Sequence, residues 1–310
     1  MSDRFSPGDP PPEQPGQLVE DQGQSDETYC VGHPDRPTKL RCSRCDRPIC
    51  GQCAIPASVG QHCPWCVAEA RKSHPKVRTA MQASAPGVRA IIGLNVVAWV
   101  AQLIASFTAT QQIDPVTLRF ALIPPEIANG EWWRLITSMF LHATTGPFLL
   151  LHILFNCYIL YIYGPEVEKV FGTRKFLTMY LAAGFLGSAF SYAFGPFIKV
   201  GLGASGAVFG MVGVLIAYLF SRRSSALVTE YLRSLVFFVG INLVFGFIVA
   251  GIDNFAHIGG LVAGLGLGFV YDLAQRRNAP VLEILATLAL IGAGVVLVAL
   301  RTASPAGILS

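Results

Sequence analysis

Residues 203–220 read GASGAVFGMVGVLIAYLF, a stretch without charged side chains in which Ser205 and a few glycines interrupt an otherwise apolar run. Similar stretches recur along most of the chain. They lie near residues 90–108, 147–164, 175–194, 205–220, 234–250, 256–273 and 282–300. An α-helix needs about 20 residues to cross the ~30 Å hydrocarbon core of a bilayer. The sequence therefore predicts seven membrane-spanning helices.

The 310-residue chain carries its charges unevenly. Residues 1–89 hold 11 Lys/Arg and 10 Asp/Glu, whereas the much longer segment 90–310 holds only 12 and 9. A soluble domain has about 25% charged residues, and the second segment falls far below that. We therefore expect membrane lipid around residues 90–310. The formal net charge of +4 does not indicate a nucleic-acid partner.

Composition divides the chain into five segments. Residues 1–28 are rich in proline and lack an apolar run, which predicts a disordered tail and no secretory signal. Residues 29–70 form a Cys-rich domain and residues 71–88 a basic linker. Residues 89–275 are predicted to form a core of six membrane-spanning helices, and residues 276–310 a seventh helix with a short tail.

Basic residues predict the orientation of the helices, because cytoplasmic loops are enriched in Lys and Arg. If the N-terminus is cytoplasmic, the cytoplasmic segments from residue 71 onward hold 13 Lys/Arg and the outer segments hold four. We therefore expect a multi-pass protein of the cell membrane with a cytoplasmic N-terminus and an extracytoplasmic C-terminus. The Cys-rich domain then lies in reducing cytosol, where thiols bind metal more often than they form disulfides.

Four pairs of metal-ligand residues, each separated by two residues, follow one another in the Cys-rich domain. They are Cys30 and His33, Cys42 and Cys45, Cys50 and Cys53, and Cys63 and Cys66. Eight such ligands suffice for two tetrahedral Zn²⁺ ions with no position open for water, so we predict two structural zinc sites. A redox-active Cys-x-x-Cys motif or disulfides are the alternatives, and neither explains four consecutive pairs. His62 is an alternative ligand to Cys63, which we prefer because it completes its pair.

Polar residues inside a membrane span are costly and become functional candidates, and three places in the predicted spans stand out. His152 and Asn156 share one face of the second span, because they are four residues apart. Ser205 begins the fourth span and His257 the sixth. Even-numbered spans enter from the outer side, so all four lie at a similar depth in the outer half of the membrane. A histidine that takes a proton activates a serine, and fixed N–H donors stabilise the resulting oxyanion, so this set indicates a serine hydrolase.

The same residues stand in motifs that resemble those of rhomboid intramembrane proteases. In chain order, the motifs are Gly130-Glu131-Trp132-Trp133-Arg134, His152-x3-Asn156, Glu166/Glu168 with Gly172, Gly203-Ala204-Ser205-Gly206 and Ala256-His257-x2-Gly260-x3-Gly264. The resemblance covers about residues 85–275 and implies a six-helix core with a Ser–His dyad and no catalytic cofactor. It implies that Ser205 is the nucleophile and His257 the general base. The implied oxyanion hole consists of His152, Asn156 and the Ser205 amide.

This resemblance also implies an enzyme, a serine-type endopeptidase that cleaves single-pass membrane proteins in or near the outer leaflet. The Cys-rich domain resembles a B-box-type zinc finger, in which alternate pairs share a metal ion. By that resemblance one zinc ion is bound by Cys30, His33, Cys50 and Cys53, and the other by Cys42, Cys45, Cys63 and Cys66. We expect this domain to regulate activity or to bind a cytosolic protein. The predicted fold class is an all-α polytopic membrane protein, with a rhomboid six-helix core and one C-terminal transmembrane helix, preceded by a small zinc-binding cytosolic domain.

Two other functions fit fewer of these features. A catalytically inactive rhomboid-like protein that binds membrane clients would typically lack the serine or the histidine, and both are present here. A transporter is expected to carry acidic residues inside its spans and a repeated half. The predicted spans three to six hold no acid before Asp272.

Several neighbouring residues are predicted to have structural roles. Phe209 is expected to stack beneath His257, and Asp253 to be a solvated loop acid. The loop of residues 109–146 is too long for a simple turn and predicts a structured element, in which Arg134 binds the loop's own backbone. The Gly260-x3-Gly264 motif predicts close packing of the sixth span against the fourth.

Overall fold

The computed structural model describes residues 28–57, 59–73, 85–107, 113–146 and 149–304. These residues belong to two compact units, one within Met1–Arg78 and the other within Thr79–Ser310. The predicted disordered tail, except for its last residue, and residues 74–84 of the predicted linker lie outside the described residues. The division into five segments therefore stays a prediction.

The N-terminal unit consists of two short hairpins and one helix. Its elements are β1 (Tyr29–Cys30), β2 (His33–Pro37), β3 (Ile55–Pro56), β4 (Gln61–His62) and α1 (Pro64–Ser73). Strand β1 pairs with β2 and β3 with β4, both antiparallel. The interior is built from cysteine side chains around the fully buried Ile49. Such a small interior supplies little hydrophobic stabilisation, so another source of folding energy is needed.

The described part of the C-terminal unit contains seven long helices. They are α2 (Pro86–Ser106), α6 (Leu149–Phe171), α7 (Thr173–Phe194), α8 (Ser205–Phe220), α9 (Ala226–Ile248), α10 (Asn254–Arg277) and α11 (Val281–Ala303). Six of them are long and apolar enough to cross a membrane, and α8 is a shorter apolar helix of 16 residues. At about 1.5 Å per residue, α8 is shorter than the ~30 Å hydrocarbon core, so it cannot cross the whole core as a helix. The predicted all-α polytopic fold is confirmed.

The segment between α2 and α6 is structured where it is described. It contains α3 (Pro115–Phe120), α4 (Pro124–Ala128), α5 (Arg134–Thr137) and a 3₁₀ turn, Ser138–Phe140. The buried Arg134 guanidinium donates to the carbonyl oxygens of Leu118 and Ala121, each at 2.9 Å. It also forms an ion pair with Glu131 at 2.6 Å. Arg134 therefore binds the segment to its own backbone, as predicted.

The largest difference from the predicted helix boundaries occurs at α9. This helix begins at Ala226, eight residues before the predicted start at residue 234. Its first two turns carry Glu230 and Arg233, an exposed ion pair of 3.6 Å. Glu230 thus lies in the fifth long helix but before the predicted span, which begins at residue 234. Apolarity alone places the start too late, because a helix continues beyond the hydrocarbon core where its charged side chains are solvated.

Helices α8 and α10 approach each other through glycines. Gly260 and Gly264 of α10 face Gly206 and Gly210 of α8, and a Cβ on either α10 glycine would overlap a backbone carbonyl of α8. Small residues at this spacing let two helix backbones pack closely. The predicted packing of the sixth span against the fourth is confirmed.

Glu168 at the end of α6 fixes the start of α2. Its two carboxylate oxygens accept hydrogen bonds from the N–H groups of Gly87 and Val88, each at 2.9 Å, and Oε1 also accepts from the Thr173 hydroxyl at 2.6 Å. The first N–H groups of a helix have no partner within the helix. A buried carboxylate satisfies them here, so Glu168 is a structural group of this fold.

Helix α11 packs on α7 and is bound to it near both ends. Lys175 and Glu283 form an ion pair of 2.5 Å at one end. The hydroxyls of Tyr192 and Thr302 form a hydrogen bond of 2.9 Å at the other. These contacts join α11, the seventh long helix, to α7, the third long helix.

Candidate active site and metal centres

Ser205 is the first residue of α8, and the turn before it requires glycine. Gly203 has a φ of +130°, a conformation that L side chains rarely adopt, and its N–H donates to the Ser138 carbonyl at 3.0 Å. A Cβ at this position would lie 2.8 Å from His152 Nε2 and 3.9 Å from Ser205 Oγ. Gly203 therefore leaves open the space beside the serine hydroxyl and the His152 ring.

His257 lies near the start of α10, and its Nε2 is 2.9 Å from Ser205 Oγ. Its ring stacks on Phe209 of α8, with the centroids 4.3 Å apart and the planes at 5°. His257 is only 7% exposed, and its Nδ1 has no hydrogen-bond partner among the described residues. A neutral ring accepts a proton at Nε2 only if its own proton is on Nδ1. The structure thus brings together a serine and a histidine that lie 52 positions apart in the sequence.

His152 and Asn156 lie on α6 and line the same cavity as Ser205. The N–H of Ala143 donates to His152 Nδ1 at 3.2 Å, so the proton of the neutral ring lies on Nε2. The Nε2–H group of His152 is a hydrogen-bond donor that lies next to Gly203. The buried Asn156 donates one amide hydrogen to the His152 carbonyl at 2.8 Å, which leaves its other amide hydrogen for a ligand.

Ser205 and His257 line a cavity of about 1040 Å³. Its walls are mostly apolar; α6 supplies the most lining residues of any helix, including Phe155, and α9 supplies three, including Phe245. Ligand pockets in proteins typically have volumes of roughly 300–1,000 Å³. The cavity is therefore large enough for a short segment of polypeptide with its side chains.

Several polar residues that line this cavity were not among the predicted site residues, including Asn242 and Lys199. Asn242 of α9 lines the cavity and donates to the Phe238 carbonyl at 2.7 Å. Lys199, in the loop before α8, donates to the Ile252 carbonyl at 3.2 Å. The rule that polar residues inside a span are functional candidates would have found Asn242, whereas nothing in the sequence distinguishes Lys199 from an ordinary loop residue.

Asp253 is not the solvated loop acid that the sequence suggested. Its Oδ1 accepts from the N–H of Ala256 at 3.1 Å, and its Oδ2 accepts from the Ser191 hydroxyl at 2.5 Å. Lys199 Nζ lies 3.8 Å from the same carboxylate, whose side chain is 17% exposed. The prediction was wrong because Ser191 and Lys199 belong to segments that are distant from Asp253 in the sequence.

Two groups of four potential metal ligands form in the N-terminal unit. One consists of Cys30, His33, Cys50 and Cys53, and the other of Cys42, Cys45, Cys63 and Cys66. Within each group the ligand atoms all lie within 4.8 Å of one another. Cys63, and not His62, belongs to the second group. All eight cysteines of the chain are free, so the structure does not contain the disulfides considered as an alternative.

The spacing of these ligand atoms fits tetrahedral zinc. Bonds of about 2.3 Å to sulfur place two sulfurs of a tetrahedron about 3.8 Å apart. The sulfurs of Cys45 and Cys63 are 3.7 Å apart. In the other group, the sulfurs of Cys50 and Cys53 lie 3.5 and 3.3 Å from His33 Nδ1. Both groups could therefore bind a metal ion.

Backbone N–H groups are directed at the sulfurs of the second group. The N–H of Cys63 donates to the Cys42 sulfur at 3.1 Å, and that of Cys66 donates to the Cys63 sulfur at 3.3 Å. Burial opposes ionisation of the Cys42 thiol, but the N–H groups of Cys63 and two neighbours outweigh it and lower its pKa to about 6. The thiolate is the form that binds metal, so the surroundings of Cys42 suit a zinc ligand. Burial and the neighbouring cysteines raise the pKa of Cys63 and Cys66 instead.

The fold and the site define a polytopic helical membrane protein with a serine–histidine pair inside its membrane unit. A family model of the Rhomboid domain matches residues 129–273, within the C-terminal unit. The rhomboid-family protein YdcA of Bacillus subtilis (strain 168) is 32% identical over 193 residues, which are 62% of this chain and 92% of YdcA. The chain belongs to the rhomboid family.

Other relatives are named as proteases. The rhomboid protease GluP of Bacillus subtilis (strain 168) is 44% identical over 138 residues, which are 44% of this chain but only 26% of GluP. The rhomboid protease AarA of Providencia stuartii is 26% identical over 215 residues, which are 60% of this chain and 73% of AarA. The match to GluP thus spans about a quarter of that protein's length.

Proposed function

We propose that this protein is an integral-membrane serine endopeptidase that hydrolyses peptide bonds of single-pass membrane proteins. The observation that carries the proposal is the 2.9 Å distance between Ser205 Oγ and His257 Nε2 at an apolar cavity of about 1040 Å³. The relatives GluP and AarA, both named as rhomboid proteases, support the same chemistry for this chain.

In the proposed reaction Ser205 is the nucleophile and His257 the general base. When Ser205 Oγ attacks the carbonyl carbon of the substrate, its proton passes to His257 Nε2 and the carbonyl oxygen becomes an oxyanion. The stacking of His257 on Phe209 restricts the rotation of the imidazole ring. Nε2 therefore stays in line with the hydroxyl while the proton moves.

The proposed oxyanion hole consists of His152, Asn156 and the Ser205 amide. His152 supplies the N–H of Nε2, because Ala143 occupies Nδ1. Asn156 supplies the amide hydrogen that is not bound to the His152 carbonyl. The Ser205 N–H stands at the start of α8, where backbone N–H groups lack intrahelical partners. Donors that are held in place before the reaction need no reorganisation when the charge develops.

The second half of the reaction regenerates the serine. Collapse of the tetrahedral intermediate breaks the C–N bond, the leaving amine takes the proton from His257, and an ester on Ser205 remains. Water then gives a proton to His257 and attacks the ester carbon. When this intermediate collapses, Ser205 Oγ recovers its proton from His257 and the new carboxyl terminus is released. Every step uses groups of the chain and the substrates alone.

We expect the substrate to enter the cavity as extended backbone, because the carbonyl groups of a helix are already hydrogen-bonded. Cut sites should therefore lie beside small or helix-breaking residues, with a small side chain just before the cut. The excess of Lys and Arg in alternate loops favours a cytoplasmic N-terminus in the cell membrane. Ser205 then lies toward the outer side, and cleavage occurs in or near the outer leaflet.

We further infer that the N-terminal unit is a B-box-type zinc finger with two structural Zn²⁺ ions. The four ligands of each group leave no open coordination position, which is typical of structural zinc. Metal binding would supply the folding energy that the small interior of this unit lacks. A unit of this kind in the cytosol is suited to bind a protein partner and to regulate the membrane unit.

The protease proposal is tested with tagged single-pass proteins that carry small residues near the outer end of their membrane segment. We expect cleavage by the wild type and none by Ser205→Ala or His257→Ala. A fluorophosphonate probe should label the wild type but not Ser205→Ala. Equal cleavage by all three proteins would refute the assignment. Stable capture of uncut substrate by all three would instead identify a client-binding protein.

A further inference from the structure

We propose that Asp253 is a positioning residue for the general base, because its carboxylate fixes the first turn of α10, and with it His257, against two other segments. The inference rests on the proposed protease function. It goes beyond that function by assigning a role to a residue outside the dyad and the oxyanion hole.

Asp253 is the N-cap of α10. Its Oδ1 accepts from the N–H of Ala256, and its main-chain carbonyl accepts from the N–H of His257, each at 3.1 Å. One residue thus binds two consecutive N–H groups, and the second belongs to His257. An N-cap of this kind stabilises the first turn of the helix, and the His257 side chain extends from the end of that turn.

The other carboxylate oxygen connects this turn to its surroundings. Oδ2 accepts from the hydroxyl of Ser191 near the end of α7 at 2.5 Å, and Lys199 Nζ lies 3.8 Å away. Lys199 also donates to the carbonyl of Ile252, the residue before Asp253, at 3.2 Å. The end of α7, the loop before α8 and the start of α10 therefore meet at one carboxylate.

The position of the His257 ring depends on the contacts of Asp253, because few other groups orient this ring. Its Nδ1 has no partner among the residues that the structure describes, so no acid fixes the ring as the aspartate of a catalytic triad does. Stacking on Phe209 restricts the plane of the His257 ring but does not fix the position of the ring along the axis of α10. A displacement of about 1 Å between reacting groups can lower a rate roughly 100-fold. Asp253 therefore affects the reaction although it touches no reacting atom.

The test compares Asp253→Ala with Asp253→Asn and Asp253→Ser in the full-length protein. The readouts are the rate of fluorophosphonate labelling at Ser205 and the kcat and KM of cleavage. We expect Asp253→Ala to slow labelling roughly 10- to 100-fold and to lower kcat with little change in KM. Asn keeps the N-cap and a second polar atom that can hydrogen-bond to the Ser191 hydroxyl, so Asp253→Asn should stay within roughly threefold of the wild type. Ser keeps the N-cap alone, so Asp253→Ser should fall between the Asn and Ala variants.

Asp272→Asn is the matched control. Asp272 is a buried carboxylate of α10, and it forms ion pairs with Arg222 at 2.7 Å and Arg276 at 2.9 Å near the other end of the helix. If Asp272→Asn slowed labelling as much as Asp253→Ala, at the same loss of thermal stability, general loosening of α10 would explain both and the proposal would be overturned. A rate for Asp253→Asn no higher than that of Asp253→Ala would also overturn it.

The same measurements separate this inference from the protease function. A wild type that is not labelled and does not cleave would refute the protease function itself. A labelled wild type whose Asp253→Ala variant keeps the full rate would refute only the role of Asp253.

Discussion

The imidazole ring of His257 lies flat on the phenyl ring of Phe209, with the two centroids 4.3 Å apart and the planes at 5°. The two residues belong to different helices, α10 and α8. Helix α8 also begins with Ser205, four residues before Phe209, so the serine and the phenyl ring share one helix face. This face of α8 therefore presents the hydroxyl and supports the ring that is proposed to accept its proton.

Replacement of Phe209 should impair the dyad without removing either of its members. Stacked aromatic rings contribute about 1 kcal/mol beyond their burial, so Phe209→Ala is expected to slow fluorophosphonate labelling of Ser205 roughly fivefold. Phe209→Tyr keeps the ring and should label at a rate close to that of the wild type. Labelling of Phe209→Ala at the wild-type rate would show that the stack does not orient His257.

Removal of His152 should affect the chemical step more than substrate binding. A fixed N–H donor at an oxyanion is typically worth about 100- to 1,000-fold in kcat, so we expect His152→Ala to lower kcat by that amount with little change in KM. Asn156→Ala should have a smaller effect, because one amide hydrogen of Asn156 is already bound to the His152 carbonyl. Steady-state cleavage kinetics distinguish the two variants. A rise in KM at constant kcat would instead place His152 in substrate binding.

Two glycines of α10 provide a matched test of the packing of α8 on α10. A methyl group at Gly264 would overlap the Gly210 carbonyl, so Gly264→Ala should destabilise the protein by about 1–3 kcal/mol. A Cβ at Gly266 meets no other heavy atom within 4 Å, so Gly266→Ala should be neutral or stabilise it by up to about 1 kcal/mol. Thermal unfolding in detergent measures both. Similar shifts for the two variants would contradict the close approach of these helices.

Metal analysis of the full-length protein should return two zinc ions per chain. Cys45→Ser and Cys50→Ser each remove one ligand of a different group, so each should retain only one firmly bound zinc ion. Cys157→Ser is the control, because Cys157 lies on α6 outside both groups and this variant should keep two. Chelation should make residues 28–73 sensitive to protease. Unchanged zinc content in all three variants would refute the assignment of the ligands.

The course of the seven long helices was predictable because each is an apolar run of roughly the length that a bilayer requires. The prediction was least accurate for α9, where Glu230 and Arg233 extend the helix beyond its apolar part. The packing partner of α10 was also predictable, because the Gly260-x3-Gly264 motif and the small residues of α8 complement each other. The position of an apolar helix and the spacing of its small residues depend on neighbouring residues in the chain, so periodicity and composition reveal them.

The site was predictable to the extent that a polar residue in an apolar run is conspicuous. Ser205, His257, His152 and Asn156 stand out for this reason, and the structure brings them to one cavity. Asp253 and Lys199 do not stand out, because acids and bases are common in loops. Their contacts with Ser191 and Ile252 appear only when α7, α8 and α10 are assembled.

The sequence alone predicted the number of long helices, the candidate residues for acyl transfer and the eight zinc-ligand candidates. It did so because charge scarcity, isolated polar residues and paired cysteines are each visible within a short window. Only the tertiary structure decided the 2.9 Å distance between Ser205 and His257, the stacking of His257 on Phe209 and the carboxylate that caps α10. These features depend on how closely separate helices approach, and that distance is set by packing across the whole membrane unit.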